Sequence, residues 1–173
     1  MTNLSINVNK IAWLRNARDG DIPNLIDMTN KIIDSGCHGI TVHPRPDLRH
    51  ITPKDVAEIT KIIPSNIEFN IEGNPFEQSN NDYPGYMELI NFYQPDQATL
   101  VPDDTMQKTS DHGFNLSKPN PELEKIINLS SAYIVVFSSG KINFLFLTIP
   151  PITTPSGISK SIIFLSVKSL ILD

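Results

Sequence analysis

Residues 39–55 read Gly39-Ile40-Thr41-Val42-His43-Pro44-Arg45-Pro46-Asp47-Leu48-Arg49-His50-Ile51-Thr52-Pro53-Lys54-Asp55, a strand, a basic loop and a helix start in one run. Gly39 to Val42 is short and β-branched, as a buried strand should be. Thr52-Pro53-Lys54-Asp55 is a helix start, with an N-cap hydroxyl, a proline at the first helical position and an acid in the first turn. Val56, Ile59 and Ile63 then carry one apolar stripe to Pro64. Between strand and helix, two histidines and two arginines fall within eight residues, 43–50, stiffened by Pro44 and Pro46.

The same unit recurs on both sides. Leu4 to Val8 alternates apolar and polar residues and predicts a strand, followed by a loop and a helix opened by Pro23, with Leu25, Met28 and Ile32 on one face and a stop at Gly36. Ile67 to Ile71 predicts a third strand, Tyr86 to Phe92 a third helix ending before Pro95, and Gln97 to Val101 a fourth strand. Repeated strand, loop and helix units predict an α/β fold with a parallel sheet.

The composition excludes several classes. The 173 residues carry a net charge of −5, with a sequence pI near 5.3, and show no basic stripe for a phosphate backbone, so nucleic acid is not an expected partner. Cys37 is the one cysteine; it has no partner for a disulfide or zinc site, which suits a reducing cytoplasm, and it reads as a small buried apolar group. The amino terminus lacks the pattern of a signal peptide. The apolar runs 142–149 and 162–172 are shorter than the roughly 18 residues of a membrane span, so no membrane role is expected.

The average conceals two unlike parts. Residues 1–128 hold 29 of the 33 charged residues and all four histidines, whereas 129–173 are rich in Ser, Ile, Leu and Phe without helical period or steady alternation. The tail reads either as two or three buried strands or as text foreign to the fold of residues 1–128.

Polar residues cluster at the carboxyl ends of the expected strands: Asn7 and Asn9, His43 and Arg45, Glu72, then Asp103 and Thr109. That edge of a parallel sheet is where ligands bind. Imidazole moves protons near neutrality, and guanidinium binds phosphate through forked hydrogen bonds. A single strand-end histidine or glutamate would be unremarkable as a loop or satisfied core residue, but four successive strands end this way. Glu72, after an apolar strand and before Gly73, where backbone can approach a ligand closely, reads as a desolvated general acid or base, or as an ion-pair partner of Arg45. Arg49 is expected to pair with Asp47 or a helix carboxylate. Of Arg15 and Arg18, in the loop expected after the first strand, one is read as a phosphate ligand and the other as structural.

The strings NVNKIAWLRNARDG, GCHGITVHPRPDLRHIT, FNIEGNP and ATLVPDD followed by Lys108-Thr109-Ser110 resemble the pyridoxine 5′-phosphate synthase family over residues 3 to 128. The resemblance implies a (β/α)8 TIM barrel of which the first half is present, residues 1–128, followed by a divergent or frameshifted tail, 129–173. It implies condensation and ring closure of 1-deoxy-D-xylulose 5-phosphate with 3-amino-2-oxopropyl phosphate, with no metal or organic cofactor and with homo-oligomeric assembly. Carried over by position, it implies His43 and Glu72 as proton acceptors, Asn7 and Arg18 as contacts to the aminooxopropyl phosphate, and Asn9, Lys10, Arg45, His50 and Thr109 as contacts to the deoxyxylulose phosphate. Many members carry Asp-His where Asn9-Lys10 stands here; Lys10 would then serve as a point charge for phosphate. A full barrel takes roughly 250 residues, with glycine-rich phosphate loops after its last strands. The tail has no histidine and only Gly140 and Gly157, so impaired catalysis is expected, together with open edges at strands one and four. Two other readings remain: a non-catalytic fragment that binds phosphate or docks onto intact subunits, and another phosphosugar-handling barrel enzyme.

Overall fold

A computed structural model describes residues 3–18, 20–108, 110–129, 133–136 and 145–147. Its elements run β1 (Ser5–Asn7), α1 (Asn9–Asn16), α2 (Leu25–Asp34), β2 (Gly39–Val42), α3 (Pro53–Ile62), β3 (Glu68–Gly73), α4 (Tyr86–Tyr93), β4 (Gln97–Leu100), α5 (Pro121–Leu129), β5 (Tyr133–Val136) and β6 (Leu145–Leu147). The strands form one sheet in chain order, parallel from β1 to β5, with β6 antiparallel to β5. From β1 to β5 this is the strand order of a (β/α) barrel wall, extending over part of its circumference, and the antiparallel β6 departs from it.

The helix starts have local causes. At α3 the Thr52 hydroxyl accepts the Asp55 N–H at 3.2 Å while Asp55 Oδ2 accepts the Thr52 N–H at 2.8 Å, a reciprocal capping box. At α2 the cap is Asn24, whose Oδ1 accepts the Asp27 N–H at 2.9 Å, so Pro23 lies ahead of the cap instead of in the first turn. Gly36, at φ +87°, ends that unit as expected.

Two expectations are corrected. The segment after the first strand is not a loop: α1 occupies Asn9–Asn16, and its signal is weak because Ala12 is its one buried residue and it is anchored by an ion pair. Strand four is not an open edge, because α5 buries Leu123 and Ile127 and delivers β5 alongside β4, with Ala98 opposite Ile134 and Leu100 opposite Val136. The sheet therefore continues past residue 128. Within the tail 129–173, residues 130–132, 137–144 and 148–173 lie outside the described residues.

Register separates the sheet's two faces. Val42, Ile71, Ala98 and Ile134 align across four strands; all are buried and join a core with Val56 and Ile59 of α3, Ile90 of α4 and Leu123 of α5. The opposite face is polar. Asn7, Thr41, Asn70 and Gln97 align there, and Glu72 aligns with Thr99. These groups hydrogen-bond laterally: Asn70 donates to Thr41 Oγ1 at 3.2 Å and accepts from the Thr99 hydroxyl at 3.0 Å. The ladder satisfies polar groups that face the barrel interior, directly below the strand ends.

Candidate active site

Parallel register brings His43 and Glu72, the two expected proton acceptors, together. Val42 sits opposite Ile71, so the next residues, His43 and Glu72, leave neighbouring strands side by side, with His43 Nδ1 3.8 Å from Glu72 Oε1. The His43 backbone N–H donates to Asn9 Oδ1 at 2.9 Å, and the Asn9 N–H donates to Asn7 Oδ1 at 2.9 Å. Asn7 and Asn9 thus tie the start of α1 to the end of β2. On the other side of the imidazole, His43 Nε2 lies 3.7 Å from Asp103 Oδ2.

The two arginines of the 43–50 loop bind the loop after β4. Arg45 is 3% exposed; it donates from Nη1 to Asp103 Oδ2 at 2.9 Å and from Nη2 to the carbonyls of Asp104 and Gln107. Its Nε has no hydrogen-bond partner among the described residues. Arg49 donates from Nε to Asp47 Oδ2 at 2.7 Å, and from Nη1 and Nη2 to the carbonyls of Gln107 and Thr105, both at 2.8 Å. The expected Arg49–Asp47 pair is present. Arg45, in contrast, pairs with Asp103 and not with Glu72, which has no cationic hydrogen-bond partner among the described residues.

Burial sets the electrostatics. Desolvation, followed by the nearby Asp103 carboxylate, raises Glu72 to about 7, against the weaker opposing pull of Arg45. Desolvation, reinforced by His50 and Arg45, lowers His43 to about 3, so its imidazole is neutral at physiological pH. His50 is lowered to about 4, chiefly by burial and then by Arg45. Its Nδ1 accepts the Ile51 N–H at 2.9 Å, which fixes the neutral ring with its proton on Nε2. The site therefore presents a neutral imidazole and a carboxyl group titrating at neutrality, the states required of a proton acceptor and of a group that exchanges protons in both directions.

These groups line one cleft of about 580 Å³ at the carboxyl ends of the strands. Of the residues singled out from sequence, Asn7, Asn9, Lys10, His43, Arg45, His50 and Glu72 line it. Arg18 does not; it is exposed on the turn after α1. Thr109 lies outside the described residues, although Lys108 and Ser110 on either side of it border the cleft. Sequence reasoning missed Trp13, over whose ring Lys10 Nζ lies 5.5 Å from the centroid, and it gave no site role to Arg49, Lys108 or Ser110. The missed helix α1 accounts for Trp13, since one helical turn separates it from Asn9 and Lys10. Gly73 is also reassigned: the close approach it permits is that of the Tyr86 ring and not of a ligand. Among the described residues no group of three or more His, Cys, Asp or Glu side chains is arranged to hold a metal ion, and no helix is long and apolar enough to cross a membrane.

The family model described as "Pyridoxal phosphate biosynthesis protein PdxJ" matches residues 4–138. The chain belongs to this family. A pyridoxine 5′-phosphate synthase of Xanthomonas axonopodis pv. citri is 49% identical over 127 residues, covering 73% of this chain and 50% of the relative. One from Xylella fastidiosa strain M23 is 48% identical over 128 residues, covering 73% of this chain and 49% of the relative. The chain thus spans about half the length of the curated relatives it matches. The PdxJ match reaches past β5, in keeping with a parallel sheet that continues beyond residue 128.

Proposed function

We propose that this chain carries the amino-terminal half of a pyridoxine 5′-phosphate synthase site, which condenses 1-deoxy-D-xylulose 5-phosphate with 3-amino-2-oxopropyl phosphate and closes the pyridine ring. The observation that carries this reading is the cleft itself, where His43 and Glu72 stand 3.8 Å apart among the cationic side chains of Lys10, Arg49 and Lys108. Condensing an amine with a ketone expels water, and loss of phosphate and further water leaves an aromatic ring. Each stage moves protons at carbon, nitrogen or oxygen, and both substrates bring a phosphate to be held in place.

In this reading His43 and Glu72 accept protons, and Asn9, Lys10, Arg45, His50 and Thr109 hold the deoxyxylulose phosphate. Asn7 and Arg18 contact the aminooxopropyl phosphate. Because Arg45 is already committed to Asp103 and two carbonyls, its contribution is to shape the wall of the phosphate site, while Lys10 supplies an exposed point charge. The reading carries with it the family's cytoplasmic setting and homo-oligomeric assembly, with no cofactor.

Turnover by the 173-residue chain is expected to fall far below that of the relatives, since it spans about half their length and all four histidines precede residue 113. The test pairs calorimetric titration with each substrate and chromatographic detection of pyridoxine 5′-phosphate. Micromolar to millimolar binding of the deoxyxylulose phosphate, lost in His50→Ala, supports the site. Absence of binding to either substrate by the folded chain rejects it. Binding without product favours a phosphate-binding fragment over an enzyme.

A further inference from the structure

His43 faces two carboxylates, and they are not equivalent. Asp103 is the more deeply buried, with a side chain 5% exposed against 20% for Glu72, so its charge is the less screened by water. It is also held from three directions: Oδ2 accepts from Arg45 Nη1 at 2.9 Å and from the Ser110 hydroxyl at 2.6 Å, and its backbone carbonyl accepts from Asn74 Nδ2 at 2.6 Å. Its Oδ1 is buried with no hydrogen-bond partner among the described residues. A fixed, buried carboxylate whose Oδ2 lies 3.7 Å from an imidazole nitrogen favours the tautomer that carries a proton on that nitrogen.

We propose that Asp103 is a positioning residue that fixes the neutral His43 ring with its proton on Nε2, so that the unprotonated Nδ1 faces Glu72 and the cleft. This deepens the reading of His43 and Glu72 as the proton-transfer pair and rests on it. When Nδ1 takes a proton from substrate, the resulting imidazolium keeps its Nε2 proton directed at the Asp103 carboxylate. When the proton leaves, the ring returns to the same tautomer. His50, Arg45 and Arg49 oppose the imidazolium and Asp47 offsets them in part, while Asp103 Oδ2 stands 3.7 Å from the ring nitrogen.

The tautomer is directly observable in the full 173-residue chain, without substrate, by two-bond 1H–15N correlation spectra at pH 7.5. In the unsubstituted chain His43 is expected as the Nε2–H form. Asp103→Asn is expected to lower the ratio of Nε2–H to Nδ1–H several-fold, while His50, fixed by Ile51, stays in the Nε2–H form and reports an intact loop. Glu72→Gln is expected to leave the His43 tautomer unchanged, which keeps the proposal open to refutation even if Asp103→Asn fails to fold. Finding Nδ1–H in the unsubstituted chain overturns the proposal. So does an unmoved ratio in folded Asp103→Asn, or loss of the preference in Glu72→Gln. Since no substrate is present, failure of the substrate-binding experiment and failure here are separate results.

Discussion

Arg15 of α1 sets both terminal nitrogens of its guanidinium on the two carboxylate oxygens of Asp55, at 2.6 and 2.9 Å, joining the first helix to the capping box of α3. The pair is enclosed, with side-chain exposures of 15% and 6%. Removing one member leaves a buried charge unpartnered, so Arg15→Ala is expected to destabilise the chain by about 3 kcal/mol. Burial pushes the Asp55 carboxyl up, but the hydrogen bonds from Arg15 and Thr52 outweigh it and hold it below its ordinary value. Its stabilising contribution is therefore present above about pH 4, the unfolded value, and is lost as pH falls through the lower folded value. Urea titrations at pH 7 should show the full deficit in Arg15→Ala, and titrations near pH 3 should show it reduced.

Gly73 ends β3 against a ring. A methyl group there would lie 2.4 Å from Tyr86 Cδ2. Tyr86 has no room to retreat, being fully buried with its hydroxyl donating to the Ile71 carbonyl at 3.0 Å. Gly73→Ala is thus expected to cost about 1–3 kcal/mol by overpacking. Because Glu72 is the preceding residue, the same substitution should disturb the His43–Glu72 pair, measurable as a change in the His43 imidazole shifts. A midpoint of thermal unfolding equal to that of the unsubstituted chain would show that the ring moves freely.

The repeating architecture was legible because each cue acts locally. The Thr52–Asp55 capping box is written in four consecutive residues, and the strand-end positions of Asn7, His43 and Glu72 follow from strands that alternate or run apolar. What escaped depended on partners distant in sequence. Helix α1 has one buried residue and is held by Asp55, 40 positions after Arg15, so its own apolar pattern is faint. The place of Asp103 against His43 and Arg45 requires the register of β2, β3 and β4 together, which composition does not encode. The same holds for Gly73, whose neighbour Tyr86 comes from the following helix.

Arg49 holds the loop after β4 by its backbone, through the carbonyls of Thr105 and Gln107 at 2.8 Å and of Lys108 at 3.3 Å. A guanidinium on three carbonyls restrains the segment whatever its side chains. Arg49→Ala should free residues 104–108, raising their amide exchange and protease cleavage several-fold beyond the rise that lost global stability brings to β2 and β3. The loss in global stability should be about 1–3 kcal/mol, the range for charge-assisted hydrogen bonds. Arg49→Lys retains the charge but not the fork, so it should restore only part of the protection. Equal exchange in Arg49→Ala and the unsubstituted chain would remove Arg49 as the restraint.

Glu72 is raised to about 7 in the folded chain, so ionising it opposes folding. Below its unfolded value, near pH 4.5, the group is protonated in both states and costs nothing. As pH rises from there to the folded value, the unfolded chain releases the proton first, and stability falls. Above pH 7 the penalty is complete, about 2–3 kcal/mol at 1.36 kcal/mol per pH unit, the lower figure allowing for its partial exposure. Glu72→Gln keeps the shape without the charge. It should therefore be more stable than the unsubstituted chain by about that amount at pH 8, and equal to it within about 0.5 kcal/mol at pH 4. His43 and His50, both lowered by burial, work in the other direction: each stabilises above its unfolded value, and that contribution is lost as pH falls toward about 3 and 4 respectively. They act alike in both chains, so the difference between the two urea midpoints isolates Glu72. If the difference does not change between pH 4 and pH 8, Glu72 ionises as it would in water and is not the buried proton exchanger of this cleft.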